Sequence, residues 1–143
     1  MPARRIQNVI EGQEILVGPP ELTVREASRR MAEARVGAIM ISNAGRLVGI
    51  FTERDALVRV LAAGLDPDVT RLAQVMTDNP LTVRPDTLLG HALHLMYDGG
   101  FRHVPVVEDG RPVGMVSARD ALGAEMVAFE DELQRRDDIT ELL

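Results

Sequence analysis

The 143-residue chain has no cysteine and no tryptophan, and only one tyrosine and three phenylalanines. The missing cysteine excludes disulfides, thiolate metal sites and cysteine nucleophiles, and it fits a reducing compartment. With aromatics at 3% of residues, a core has to come from Val, Ile, Leu, Met and Ala. Positive charge is also short: 16 Lys+Arg face 22 Asp+Glu, for a formal net charge of −6. That balance argues against a non-specific nucleic-acid binder, which needs net or clustered positive charge. A small anionic ligand is not excluded, because a few local arginines suffice for one. No stretch approaches the roughly 18–20 apolar residues of a membrane span. No long apolar run follows the basic pair Arg4-Arg5, so a secretory signal is not expected. The expectation is a soluble cytoplasmic protein with no membrane association.

The chain does contain a duplication. Residues 31–57 align with residues 96–122 at a constant offset of 65 without a gap. Nine of those 27 pairs are identical: Met31/Met96, Gly45/Gly110, Arg46/Arg111, Val48/Val113, Gly49/Gly114, Arg54/Arg119, Asp55/Asp120, Ala56/Ala121 and Leu57/Leu122. Average composition would give about one or two. A period this long suits two supersecondary units sharing a core better than a solenoid. One such unit alone would bury too little surface to be stable.

The local signals repeat as well. In the first half, residues 6–10 suggest a short helical turn or arm and residues 14–17 a strand stopped by Gly18-Pro19-Pro20. Thr23 followed by Glu26 opens a helix in a capping-box pattern. Val24, Ala27, Met31 and Ala34 form its apolar stripe, and Gly37 ends it. Two β-prone runs, 38–41 and 47–51, flank Asn43-Ala44-Gly45 as a hairpin. Thr52 starts the next helix, which runs to about Ala63, with Gly64 and Pro67 beyond its end. In the second half, residues 81–83 suggest a strand. A helix follows with Leu89, Ala92, Leu93 and Met96 on one face. A hairpin, 103–107 and 112–116, then turns at Glu108-Asp109-Gly110, and a last helix starts at Ser117. The highly charged later turns of that helix read either as a solvated end or as a partner-facing arm using Met126, Phe129, Leu133 and Ile139.

The chemistry centres on Gly49-Ile50-Phe51-Thr52-Glu53-Arg54-Asp55 and its copy Gly114-Met115-Val116-Ser117-Ala118-Arg119-Asp120. Each is an apolar strand ending on a hydroxyl residue, with a carboxylate three residues on. One reading is a helix cap, in which the hydroxyl satisfies a free N–H and the acid favours the helix dipole. The other adds a ligand: free N–H groups for phosphate, and a carboxylate that accepts from two ribose hydroxyls. In that reading Gly49 and Gly114 let a ligand approach the backbone closely. Arg54 and Arg119 either add positive charge beside the cap or pair with nearby acids. His91 and His94 stand one turn apart, as a metal pair or as helix surface. The seven methionines read as core filler.

Three further motifs carry a family resemblance: Met76-Thr77-x-Asn79-Pro80-Leu81-Thr82-Val83-x-Pro85-Asp86, Arg102-His103-Val104-Pro105-Val106-Val107 and Gly114-x-x-Ser117-x-x-Asp120. They resemble the CBS (cystathionine β-synthase) domain, and the stretch from Ile39 to Asp55 resembles a preceding copy. The chain is therefore similar to a standalone CBS pair, or Bateman module, over about residues 6–125. The resemblance implies an α+β fold of two tandem β-α-β-β-α repeats about a pseudo-twofold axis. The expected units are residues 6–66, residues 67–126 and a helical extension at 127–143. It also implies clefts that take AMP, ADP, ATP, S-adenosylmethionine or NAD as a regulatory ligand, with no catalytic cofactor. Homodimers and a regulated protein partner belong to the same expectation. The family's ribose and phosphate roles fall on Thr52 with Asp55 and on Ser117 with Asp120. Its base or phosphate contacts fall on Arg102, His103 and Val104. Arg54 and Arg119 complete the expected site. Arg102 and His103 rank the later copy, Ser117–Asp120, as the better candidate for an occupied cleft. The competing reading is a structural dimerisation or partner-interaction protein whose clefts are vestigial.

Overall fold

The structure, a computed structural model, describes residues 4–121 and 123–142, with side chains described for 4–120, 123 and 131–140. The chain forms α1 (Ile6–Ile10), β1 (Val17–Gly18), α2 (Val24–Ala34), β2 (Ala38–Asn43), β3 (Arg46–Thr52) and α3 (Glu53–Asp55). A π-helical segment (Ala56–Leu61) continues α3. The second half adds α4 (Leu72–Val75), β4 (Thr77–Asp78), α5 (Leu89–Gly99), β5 (His103–Glu108), β6 (Arg111–Ser117), α6 (Ala118–Ala121) and α7 (Gly123–Leu142). This is a mixed α+β architecture with a duplicated plan.

The local rules explain most of these elements. The Thr23 hydroxyl caps α2 by accepting from the Glu26 amide at 3.2 Å. The Glu26 carboxylate turns instead toward Arg29 and Arg30, at 3.3 and 3.4 Å. Val24, Ala27 and Met31 are buried on one face as expected. Ala34 is exposed, and the helix ends there rather than at Gly37, because Arg35 turns left-handed at φ 56, ψ 42. Both hairpins use two-residue turns with left-handed backbone, at Ala44 and Gly45 (φ 53 and 80) and at Asp109 and Gly110 (φ 53 and 77). That geometry matches the twist of the flanking strands. On α5 the buried residues are Leu89, Ala92 and Met96; Leu93 is 37% exposed and leaves the expected stripe.

In the first sheet β1 runs parallel to β2, and β2–β3 and β3–β4 are antiparallel. The second sheet is the β5–β6 hairpin. The strand expected at 81–83 is reduced to one parallel bridge from Val83 to Val106. The strand expected at 14–17 lies at Val17–Gly18 instead.

Two aliphatic cores form. The first gathers Val24, Ala27, Met31, Ile39, Ile41, Phe51 and Val60 with Leu72 and Val75. The second gathers Val83, Leu89, Ala92, Met96, Val104, Val106 and Val116 with Ile6. The division expected at 66/67 is thus crossed in both directions. The α4 residues Leu72 and Val75 and the strand β4 complete the first repeat. The α1 arm completes the second, with the Ile6 amide on the Thr87 carbonyl at 2.9 Å and the Leu89 amide on the Arg4 carbonyl at 2.7 Å. The last helix is continuous from Gly123, ahead of the extension expected at 127. Residues 131–140 are all exposed, Leu133 and Ile139 among them. Leu122 and the side chains of Met126 and Phe129 lie outside the described residues. Among the described residues no helix is long and apolar enough to cross a membrane.

Candidate functional site

Both copies of the hydroxyl-x-x-acid motif close as capping boxes at a strand-to-helix junction. The Asp55 amide donates to Thr52 Oγ1 at 3.2 Å, and the Thr52 amide donates to Asp55 Oδ2 at 2.9 Å. In the second copy the Asp120 amide donates to Ser117 Oγ at 3.2 Å and the Ser117 amide to Asp120 Oδ2 at 3.1 Å. The Ser117 hydroxyl also donates to that oxygen at 3.0 Å. Each box uses mainly one carboxylate oxygen. For the other, Asp55 Oδ1 faces Arg59 Nε at 3.5 Å. Position 124, the counterpart of Arg59, is alanine.

Each box opens onto a cleft whose opposite wall comes from the other repeat. The cleft of Thr52, Arg54 and Asp55 is faced by Thr77, Asn79, Pro80 and Leu81 and by Phe101, Arg102 and His103, and encloses about 490 Å³. The cleft of Ser117, Arg119 and Asp120 is faced by Gln13, Glu14 and Ile15 and by Arg35, Val36, Gly37 and Ala38, and encloses about 1000 Å³. Both volumes fall in the roughly 300–1,000 Å³ range of small-molecule sites. Arg102 and His103 therefore stand opposite Asp55 as well as on the cleft of Asp120, with which the sequence reading grouped them.

Glu53, Arg102 and His103 line both clefts and form their common wall. They meet there because the first repeat has glycine at 37. An added Cβ at Gly37 would lie 2.9 Å from Glu53 Oε1 and 3.2 Å from His103 Nε2. Burial pushes the His103 imidazole below its ordinary pKa, against the pull of the Glu53 and Asp120 carboxylates, and Arg102 adds to the lowering. The backbone fixes this wall symmetrically: the Glu53 amide donates to the Gly37 carbonyl and the Ala118 amide to the Arg102 carbonyl, both at 2.9 Å.

The structure brings Thr52, Arg54, Asp55, Arg102 and His103 around one cleft, and Arg102, His103, Ser117, Arg119 and Asp120 around the other. Val104 is outside both: it is fully buried in the second core. Successive strand residues face opposite ways, so His103 on the cleft puts Val104 in the interior. Gly49 and Gly114 do not clear a path for a ligand either. An added Cβ would meet Met76 Sδ at 2.5 Å at position 49 and Ile10 Cγ2 at 2.6 Å at position 114. Arg54 and Arg119 form no ion pair with another described residue. His91 and His94 are exposed on α5. Sequence reasoning missed Glu53, Arg35, Asn79 and Gln13. Gln13 holds its wall in place by donating to the Met115 carbonyl at 3.0 Å and accepting from the Met115 amide at 2.9 Å. Moving the offset from 65 to 66 across residues 10–13 would have paired Gln13 with Asn79.

The CBS domain family model matches residues 13–62 and 72–126. The chain is 43% identical over 105 residues to the CBS domain-containing protein CBSCBSPB3 of Arabidopsis thaliana, covering 73% of this chain and 19% of that one. It is 36% identical over 118 residues to the mitochondrial CBS domain-containing protein CBSX3 of the same plant, covering 79% of this chain and 57% of that one. The chain thus spans about a fifth of the length of CBSCBSPB3 and its similar relatives. Among solved structures, CBS domain protein PAE2072 from Pyrobaculum aerophilum, complexed with AMP, superposes with a TM-score of 0.76 at 28% identity, covering 87% of this chain and 99% of that one.

Proposed function

The chain belongs to the CBS-domain family as a pair of repeats, and on that basis we propose that it is a regulatory module whose clefts take an adenosine derivative. One observation carries the reading: a capped carboxylate at a strand-to-helix junction faces a wall from the other repeat, twice. Such a carboxylate accepts from ribose hydroxyls, and the neighbouring arginines supply charge for phosphate. AMP in the similar PAE2072 structure supports the ligand class. The module works by binding rather than turnover. A ligand spanning both repeats changes a partner or the chain's own assembly to the extent that it prefers one arrangement of the repeats. We also propose that the chain pairs with itself. The π-helical segment exposes Leu57, Val58 and Leu61 at 57%, 53% and 73%, an apolar row suited to an interface.

Calorimetry with AMP, ATP, NAD and S-adenosylmethionine tests the reading. At least one binds below about millimolar, an affinity of roughly 4 kcal/mol. Asp55→Ala and Asp120→Ala each weaken their own cleft by about 1–3 kcal/mol, the range for removing a charged acceptor. Undiminished affinity in the double variant would remove the ribose assignment and favour the second reading, a structural interaction protein. The exposed surface of α7 at residues 131–140 is what favours that alternative.

A further inference from the structure

The two clefts are built from equivalent positions but not from equivalent residues. At the 65-residue offset, Glu53 corresponds to Ala118, Arg102 to Gly37 and His103 to Ala38. The bulky member of each pair lines both clefts, whereas the small members Gly37, Ala38 and Ala118 line only the cleft of Asp120. The cleft of Asp55 encloses about 490 Å³ and the cleft of Asp120 about 1000 Å³.

A fourth pair runs the other way. Gly100 ends α5 with φ 70, and Arg35 ends α2 with φ 56. Glycine adopts that conformation freely; an arginine does so at a cost. Arg35 nevertheless occupies it, at the rim of the larger cleft, and its guanidinium forms no ion pair with another described residue. Backbone strain of this kind collects where a side chain is needed at one place. The larger cleft therefore combines extra room with a cation whose counterpart in the smaller cleft is glycine.

We propose that the clefts divide their ligands: the cleft of Asp120 takes an adenine nucleotide with a di- or triphosphate chain, contacted by Arg35, and the cleft of Asp55 takes a compact nucleoside or monophosphate. This rests on the adenosine-binding reading above. Arg119 stands on the same cleft beside the ribose carboxylate, and Arg102 reaches it from the common wall. The phosphate chain fills the extra room of the larger cleft, and Arg35 closes it from the α2 side.

Single-cleft variants test this by calorimetry with ATP, AMP and adenosine. Asp55→Ala leaves the larger cleft and Asp120→Ala the smaller; Asp55→Asn and Asp120→Asn serve if alanine disturbs the caps. ATP binds the larger cleft at least tenfold more tightly than the smaller. Arg35→Gly, made in the Asp55 variant, lowers the ratio of ATP to adenosine affinity at least fivefold while raising the thermal midpoint. ATP bound equally by both clefts, or an affinity ratio unmoved by Arg35→Gly, overturns the division even where adenosine derivatives bind. No binding of any of the three to the unmodified chain overturns the adenosine reading itself, and this proposal with it.

Discussion

Arg59 sits one helical turn beyond Asp55, with its Nε 3.5 Å from the carboxylate Oδ1. The same guanidinium donates to the Val75 carbonyl at 3.2 Å and the Met76 carbonyl at 3.1 Å. One side chain thus ties the motif of the first repeat to the segment that leads into the opposite wall of its cleft. Arg59→Ala is expected to lower stability by about 1 kcal/mol, a value reduced by the side chain's partial exposure. Urea denaturation reads the loss, and an unchanged midpoint would show the ties to be negligible.

The left-handed turn residue Ala44 has an aspartate, Asp109, as its counterpart. Asparagine and aspartate tolerate this conformation better than alanine. Ala44→Asn, on an exposed turn, is expected to raise stability by roughly 0.5–1 kcal/mol, within the left-handed penalty of alanine. A melting temperature that fails to rise would contradict the turn geometry.

Gly114 has no room for a side chain, since Cγ2 and Cβ of Ile10 lie 2.6 and 2.8 Å from an added Cβ. Gly114→Ala should therefore cost about 1–3 kcal/mol by overpacking. Gly90, in α5, meets nothing within 4 Å, and Gly90→Ala should instead stabilise by up to about 1 kcal/mol. Opposite signs for the two glycines are the expected result in one set of denaturation curves.

His103 gives a pH effect whose sign follows from its lowered pKa. The unfolded chain takes the proton near about pH 6.5, while the folded chain resists it until a lower pH. Between those values the unfolded state binds more protons, so stability falls as pH falls through the window. His103→Gln should flatten that part of the stability profile, measured from about pH 7.5 to 5.5. A variant as pH-sensitive as the unmodified chain would place the titration elsewhere.

The duplication, both hairpins and both caps were legible because they rest on short-range rules: a hydroxyl three residues before an acid, and a turn with glycine second. Partnership across the molecule was not legible. Arg102 and His103 precede Ser117 and Asp120 in the same repeat and share their cleft, but nothing local shows that they also face Asp55. Val104 was misplaced by treating a strand as a row of neighbours when alternate residues face alternate sides. The π-helical segment after Asp55 lacks a signal of its own, since Ala56-Leu57-Val58-Arg59 also fits an ordinary helix. Arg35 was hidden because sequence patterns assign left-handed helix ends to glycine, and Gly37 stood close by.

The exchange of end pieces between the repeats bears on how the chain is made. Ile6 is made well before Val83, Leu89 and Val106, beside which it docks, and Arg5 reaches the Asp86 carbonyl across 81 positions. A chain made only as far as residue 66 lacks Leu72 and Val75, so its first core is incomplete while the α1 arm has nothing to bind. Such long-range closures slow folding and reward it only when nearly all of the chain is present. The duplicated chain is thus expected to fold as one cooperative unit rather than two, since each half holds a part the other requires.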